Sequence, residues 1–522
     1  MTQTINAATA RAWINDGDEI ALLDVREAGQ FGEGHAFFAV NLPYSRLELT
    51  VTERVPRRET RIVLIDDGDD VAKRAAARLR ELGYTQIAIL EGGAAAWPSG
   101  GGALFKGINV PSKTFGELVE AVCGTPHISA ASLHQIQRNG DPLLLLDGRT
   151  LAEHHKMAVP GSLPVPNGEL ALRAASFAPD ARVPVVVHCA GRTRSIIGAQ
   201  TLRHLGWTNP VLALENGTQG WRLAGFELEY DSERLLAQAP NDISNARDAA
   251  RRYAQRAGAD ELDAATAQSW IDDETRTTYV VDVRTAEEYA ARTLPGAVHA
   301  PGGQLIQATD LTLAVRGARV IVLDAEGIRA PVVAAWLRQM GWQAATVRGG
   351  IDAPIRTVAR AVFRSPLITE LDTDSLRRAV VDGARLIDLR DSLAYRTNHA
   401  EGAIWSIRPR LPGVVAGASE VVLIGDAAVA ALAADDVLQA GAQRVSHATW
   451  DTVLAAGLPR VATPAEPDDA SAIDYLFFVH DRHDGNLDAA RRYLEWETGL
   501  IGQCTPDELG HFSPLAHVEK GQ

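Results

Sequence analysis

A four-fold internal repeat constrains this chain more than any other feature of its sequence. Each copy opens with an apolar run ending in Asp-x-Arg: ALLDVRE (Ala21–Glu27), LLLLDGRT (Leu143–Thr150), YVVDVRT (Tyr279–Thr285) and RLIDLRD (Arg385–Asp391). A second apolar run, a segment of helical period and a third apolar run follow in the same order each time. The spacing is kept as well. Asp24 to Asp66, Asp147 to Cys189 and Asp282 to Asp324 each span 42 residues, and Gly83, Gly206 and Gly341 each lie 17 residues further on. The fourth copy is shorter, with 37 residues from Asp388 to Gly425. Strands alternating with helices of about ten residues predict βα units around a buried, mainly parallel sheet. The glycine after each helix fits a C′ cap.

A chain of 522 residues is too long for one hydrophobic core. The predicted fold class is therefore α/β, with four domains, each a mainly parallel sheet flanked by helices. They span residues 5–108, 125–230, 260–358 and 372–462, and a C-terminal helical tail occupies 463–522. Linkers are expected near Ser99–Val110, in the charged helical stretch Asp231–Asp260, and near Arg356–Thr373.

The copies differ where it matters chemically. In the second, VPVVVHCAGRTRSIIGAQ (Val183–Gln200), a β-branched run ends in His188-Cys189, and a tight loop leads to a helix opening at Ser195. A cysteine between a strand end and a helix N-terminus is placed to act as a thiolate, because loop amides and the helix dipole favour the charged form. Gly191 permits close backbone approach. Arg192 and Arg194 offer forked hydrogen bonds to an anion. Thr193 and Ser195 complete the loop, Ser195 as a donor to sulfur or a helix cap. At the cysteine position the other copies carry Asp66, Asp324 and Gly425, none of which is a sulfur nucleophile. One active site is expected.

These residues resemble the rhodanese family of sulfurtransferases, as four tandem modules covering nearly the whole chain up to about Arg460. The loop CAGRTRS carries the resemblance, supported by Asp147-Gly-Arg149, VPGSLPVPNGEL (Val159–Leu170) and ENGTQGW (Glu215–Trp221). The resemblance implies that Cys189 takes a sulfane sulfur from an anionic donor, thiosulfate first, holds it as a persulfide, and passes it to a thiol or to cyanide. Gly191 at the second position after the cysteine departs from the commonest pattern of the family, which bears on the donor. No metal and no organic cofactor is implied. Asp147 and Arg149 recur as Asp24/Arg26, Asp282/Arg284 and Asp388/Arg390, which favours a structural pair over a catalytic one; a supporting role of Arg149 in the pocket field stays open.

Composition narrows the setting. A net charge of −15 argues against nucleic acid as a partner. Three distant cysteines, Cys123, Cys189 and Cys504, make no disulfide framework and fit a reducing compartment. No apolar run resembles a secretory signal or a membrane span, so the expected place is the cytoplasm, and a homodimer stays open.

Other candidates read more blandly. His188 alternates to the face opposite Cys189 and reads as a packed histidine. Cys123 reads as helix-end packing and Cys504 as a tail residue without metal or redox function. HDRHDGN (His480–Asn486) looks like a metal cluster, but Asp484-Gly485 reads as a turn before a docking helix whose Arg491, Arg492 and Trp496 are candidates to face another module. Two competing functions remain. A cysteine phosphatase needs five residues between cysteine and arginine, and here Arg194 comes one residue early. A sulfur carrier or scaffold, loaded by a partner enzyme, fits three copies that have lost the nucleophile.

Overall fold

In the computed structural model, which describes residues 3–177, 180–357, 363 and 367–516, each copy of the repeat becomes one five-stranded sheet. Numbering the strands of each sheet in chain order, the spatial order is first, fifth, fourth, second, third in all four. The fold is thus α/β throughout, with mainly parallel sheets flanked by helices. The fourth, worn copy keeps this order despite its shorter spacing.

In the second module the five strands are His127–Ile128, Leu144–Asp147, Leu163–Pro164, Val185–His188 and Val211–Leu214, paired in parallel. Alternation along Val185–His188 serves two cores. Val185 and Val187 pack with Leu144, Leu146 and Leu202 on one face, and Val186 packs with Leu133 and Trp221 on the other. Burial on both faces explains why these strands read as continuous apolar runs and not as alternating ones. The strand order makes Val185–His188 central, so the loop after it opens at the carboxyl end of the sheet, where α/β proteins place their ligands.

The helices around that loop have legible ends. Helix Leu151–Lys156 starts with a capping box in which Thr150 and Glu153 satisfy each other's backbone N–H groups. Helix Val110–Cys123 begins with Pro111 in its first turn and stops at Gly124 in the left-handed region.

Internal packing divides the chain into two units. One comprises residues 1–12, 21–107 and 360–478, with the first and fourth sheets; the other comprises 13–20, 108–359 and 479–522, with the second and third. The residues after 462 divide between them. Ile473 accepts a backbone hydrogen bond from Gly29 in the first unit, whereas helices Leu487–Thr498, Leu500–Gln503 and Pro506–Gly510 belong to the second. Among the described residues no helix is long and apolar enough to cross a membrane.

Candidate active site

Cys189 stands at the end of the central strand, and two backbone bonds fix the loop that follows. Its carbonyl accepts from Thr218 N at 2.8 Å, and the Ala190 carbonyl accepts from Gln219 N at 3.1 Å. Gly217 makes these contacts feasible. Its φ is +53°, and a Cβ there would lie 2.2 Å from the Cys189 carbonyl oxygen. The same contact recurs where Gly93 meets the Asp66 carbonyl and Gly350 meets the Asp324 carbonyl, at 2.3 and 2.0 Å for such a Cβ. Ser195, in the first turn of helix Thr193–His204, donates its hydroxyl to Cys189 Sγ at 3.1 Å. The cysteine is 2% exposed.

Both loop arginines are held by carboxylates. Arg192 forks onto Glu117 at 2.8 Å for each bond and also reaches Glu120, both on helix Val110–Cys123. Arg194 forks onto Glu153, 2.7 Å for each bond. Burial opposes the charge on each guanidinium, but the carboxylates prevail and hold both above the usual arginine range. Burial likewise opposes the Glu153 charge, and Arg194 overrides it, bringing that carboxyl down to about 2. The third module repeats this pair as Arg329 and Glu288, at 2.6 and 2.9 Å, beside a loop with no nucleophile. The arrangement is therefore part of the fold as well as of the site.

Asp147 and Arg149 form a second recurring unit. Arg149 Nε and Nη2 hold the Asp147 carboxylate, and Nη2 also donates to the Met157 carbonyl eight residues on, at 2.5 Å. Arg26, Arg284 and Arg390 make the equivalent bonds to Gly34, Arg292 and Asn398. All four pairs staple a strand end to the chain that follows. Burial would raise the Asp147 carboxyl, but His188, Arg149 and His154 hold it well below the usual range. His188 is fully buried with Nε2 3.7 Å from Asp147, and burial brings its imidazole down to about 4.

The modules without cysteine show what such a loop holds. Asp324 accepts from the backbone N–H of Gly327, Ile328 and Ala330 at 3.0, 2.8 and 3.0 Å. Asp66 accepts from Gly68 and Ala72 at 2.9 and 3.0 Å. Loop and helix-start amides converge on an anion in both cases. Cys189 occupies the matching position in the second module.

Three residues at this site carry no signal in the local sequence. Lys113 Nζ donates to Tyr493 Oη at 2.5 Å and lies 3.7 Å from Glu497 Oε1. Thr193 Oγ1 donates to Glu497 Oε1 at 2.7 Å. The Tyr493 ring and Glu497 Oε2 close over Gly191, where a Cβ would meet them at 3.0 and 3.1 Å. Helix Leu487–Thr498 therefore docks on the cysteine loop through Tyr493 and Glu497, while Arg491 and Arg492 are exposed and Trp496 is half-buried. Glu153 did carry a signal, since Thr150-x-x-Glu153 and Thr285-x-x-Glu288 recur in step with Arg194 and Arg329.

The remaining candidates lie apart from this chemistry. Burial pushes the Cys123 thiol up to about 11 and the Cys504 thiol to about 12, which suits neither to nucleophilic attack. In His480–Asn486 the Asn486 side chain caps helix Leu487–Thr498, Asp484 pairs with Lys156 at 2.7 Å, and His480 pairs with Asp481. Among the described residues no group of three His, Cys, Asp or Glu is placed to hold a metal ion.

A family model, the Rhodanese-like domain, matches residues 6–99, 129–224 and 263–354. The chain belongs to the rhodanese-like family and carries its domain in tandem. Among solved structures it is similar to a thiosulfate sulfurtransferase from Pseudomonas aeruginosa, with 40% identity, a TM-score of 0.90, and 99% of this chain and 100% of that one covered. Single-domain likenesses include the Alr3790 protein from Anabaena sp., 26% identical over 20% of this chain and 93% of that one, with a TM-score of 0.19. The BH2092 protein from Bacillus halodurans is 17% identical over 20% and 78%, also with a TM-score of 0.19. Among curated proteins none matches the sequence.

Proposed function

We propose that Cys189 is the nucleophile of a sulfur-transfer cycle with thiosulfate as donor. The chain is a rhodanese-type sulfurtransferase. One observation carries the assignment of the site: of four equivalent loop positions only this one bears sulfur, at the end of a central strand with a serine hydroxyl directed at it. The thiolate attacks the outer sulfur of thiosulfate, a Cys189 S–S bond forms, the bond to the sulfonate sulfur breaks, and sulfite leaves with that electron pair. An acceptor thiol then takes the outer sulfur and returns the electron pair to Cys189. Loop amides beyond Gly191, with Ser195, hold the anionic sulfur, as their counterparts hold Asp66 and Asp324. Arg192, Thr193 and Arg194, bonded to Glu117, Glu497 and Glu153, hold the loop in shape, and Asp147 and Arg149 staple the strand before it. The cycle calls on no metal or organic cofactor, and a free thiol of this kind suits the reducing cytoplasm.

The thiosulfate assignment draws on the relative from Pseudomonas aeruginosa. A second reading has one observation in its favour. With Cys189 buried and both arginines paired to carboxylates, a partner enzyme that opens the site and delivers sulfur directly is the alternative to a free anionic donor. Incubation with thiosulfate is expected to add one sulfur atom per chain by intact-mass analysis, and none to Cys189→Ser. Failure of thiosulfate to load the wild type, with loading from a protein persulfide donor, would favour the carrier reading. No loading from either would refute both.

A further inference from the structure

The seam between the cysteine loop and helix Leu487–Thr498 holds polar groups that nothing satisfies. Among the described residues, Glu497 Oε2, both amide atoms of Gln219 and Thr218 Oγ1 are buried without a hydrogen-bond partner. Glu497 is 1% exposed and Gln219 4%. Buried polar atoms are nearly always paired, and each orphan costs roughly 1–3 kcal/mol. Three orphaned side chains at one seam mark a place built for something else.

Their placement says where. Glu497 Oε2 and Gln219 Nε2 approach the same point above the Gly191 Cα, to 3.1 and 3.6 Å. Gln219 and Thr218 are also the residues whose backbone N–H groups grip the Ala190 and Cys189 carbonyls. The groups therefore stand beside the sulfur-bearing loop. Their chemistry says what. A carboxylate oxygen lacking a donor calls for an N–H group, best a charged one, and an amide with both ends open matches a ligand offering donor and acceptor. The other Glu497 oxygen is already taken by Thr193 and faces Lys113, which leaves Oε2 as the open position.

We propose that Glu497 and Gln219 form the acceptor subsite of the transfer reaction and select an ammonium-bearing small thiol. The inference rests on the persulfide cycle at Cys189. The acceptor thiolate attacks the outer persulfide sulfur. A new S–S bond forms on the acceptor, the bond to Cys189 Sγ breaks, and its electron pair returns to Cys189 as thiolate. The adjoining cleft, lined by Thr218, Gln219, Arg222, Arg482, His483 and Ala490, has a volume of about 10 Å³, room for a single water. Arg482, whose Nε is buried without a partner among the described residues, lies over the Tyr493 ring. An amino thiol enters only as helix Leu487–Thr498 moves outward, and it then supplies the N–H that Oε2 lacks. Glu497 is thus a specificity residue carried on a movable wall.

The test uses the full chain. Cys189 is loaded from thiosulfate, persulfide is confirmed by intact mass, and discharge is timed with cysteamine and with 2-mercaptoethanol, each normalised to its rate against a free small-molecule disulfide to remove differences in thiol acidity. The wild type is expected to favour cysteamine by about tenfold or more, the factor that about 1.4 kcal/mol of recognition gives. In Glu497→Gln, which keeps an acceptor for Thr193, the ratio of the two rates is expected to fall toward one. The ratio is internal to each variant and is insensitive to a general loss of activity. A normalised ratio near one in loaded wild type means the orphaned groups bind water alone and overturns the proposal, as does a ratio unchanged in Glu497→Gln. Absence of any persulfide on Cys189 overturns the cycle itself, and is told apart by the loading step.

Discussion

Glu153 ties the chemistry of the cysteine loop to pH. Burial alone would raise its carboxyl, yet the forked bonds from Arg194 bring it from 4.5 to about 2. A carboxyl with a depressed folded-state pKa contributes stability that is present above its unfolded value and lost as pH falls through the folded one. The stability difference between wild type and Glu153→Gln is therefore expected to be constant above about pH 4.5 and to shrink as pH drops toward about 2. Urea unfolding across that range measures it, and a difference that already collapses above pH 4.5 would make Glu153 an ordinary surface carboxylate. Residues of this loop divide by how far their meaning can be read locally. Cys189 and Ser195 stand out because strand, loop and helix start are adjacent in sequence, and Asp147 with Arg149 stand out because four copies repeat them. Glu117, Glu120, Tyr493 and Glu497 do not. Their side chains arrive from separate helices, and helical period tells which face is apolar but not what it will be pressed against.

At the scale of elements the repeat transmits its geometry through a few fixed contacts. The turn after the fifth strand grips the loop after the fourth, and Gly217, Gly93 and Gly350 are the residues that let the two backbones meet. Gly217→Ala is expected to cost more than about 4 kcal/mol, because left-handed strain adds to a clash with backbone that has nowhere to go. Gly206→Ala is the control. Its φ is +83°, nothing lies within 4 Å of an added Cβ, and only the strain of about 1–2 kcal/mol applies. Equal losses in chemical denaturation would show that the close approach carries no energetic weight. The parallel sheets were legible because period and spacing recur with these contacts. The strand order and the two-residue strands, such as His127–Ile128 and Leu163–Pro164, were not, since segments so short carry no period. The helix Val110–Cys123 was less legible. It lies between two repeats, and its packing on helix Thr193–His204, where Gly116 abuts Thr193, is a tertiary choice.

At the scale of the molecule, four copies of one scaffold have been put to unequal use. In the third module a cavity of about 560 Å³ lies over the loop of Asp324, flanked by Arg247 and Arg251, yet no nucleophile is there. In the second, the nucleophile is present and residues from the far end of the chain cover it. Openness and chemistry are thus separated, and access to Cys189 depends on residues after 478. Tyr493 and Glu497 reach across about 300 positions of sequence to meet Gly191 and Thr193, and the Lys156–Asp484 pair anchors the turn before their helix. A seam that leaves several polar atoms unsatisfied is poorly stabilised and belongs to the part of a structure that opens first. Removing residues 479–522 is accordingly expected to speed alkylation of Cys189 by iodoacetamide, by about tenfold for each 1.4 kcal/mol with which the wall favours closure. Cys123 also loses cover, since its sulfhydryl donates to Leu515 in the removed segment, so the reference is Cys189 of the full-length chain under the same reagent. Peptide mapping separates the two sites. Acceleration at Cys123 with none at Cys189 would mean that the C-terminal helix leaves the sulfur as accessible as it found it.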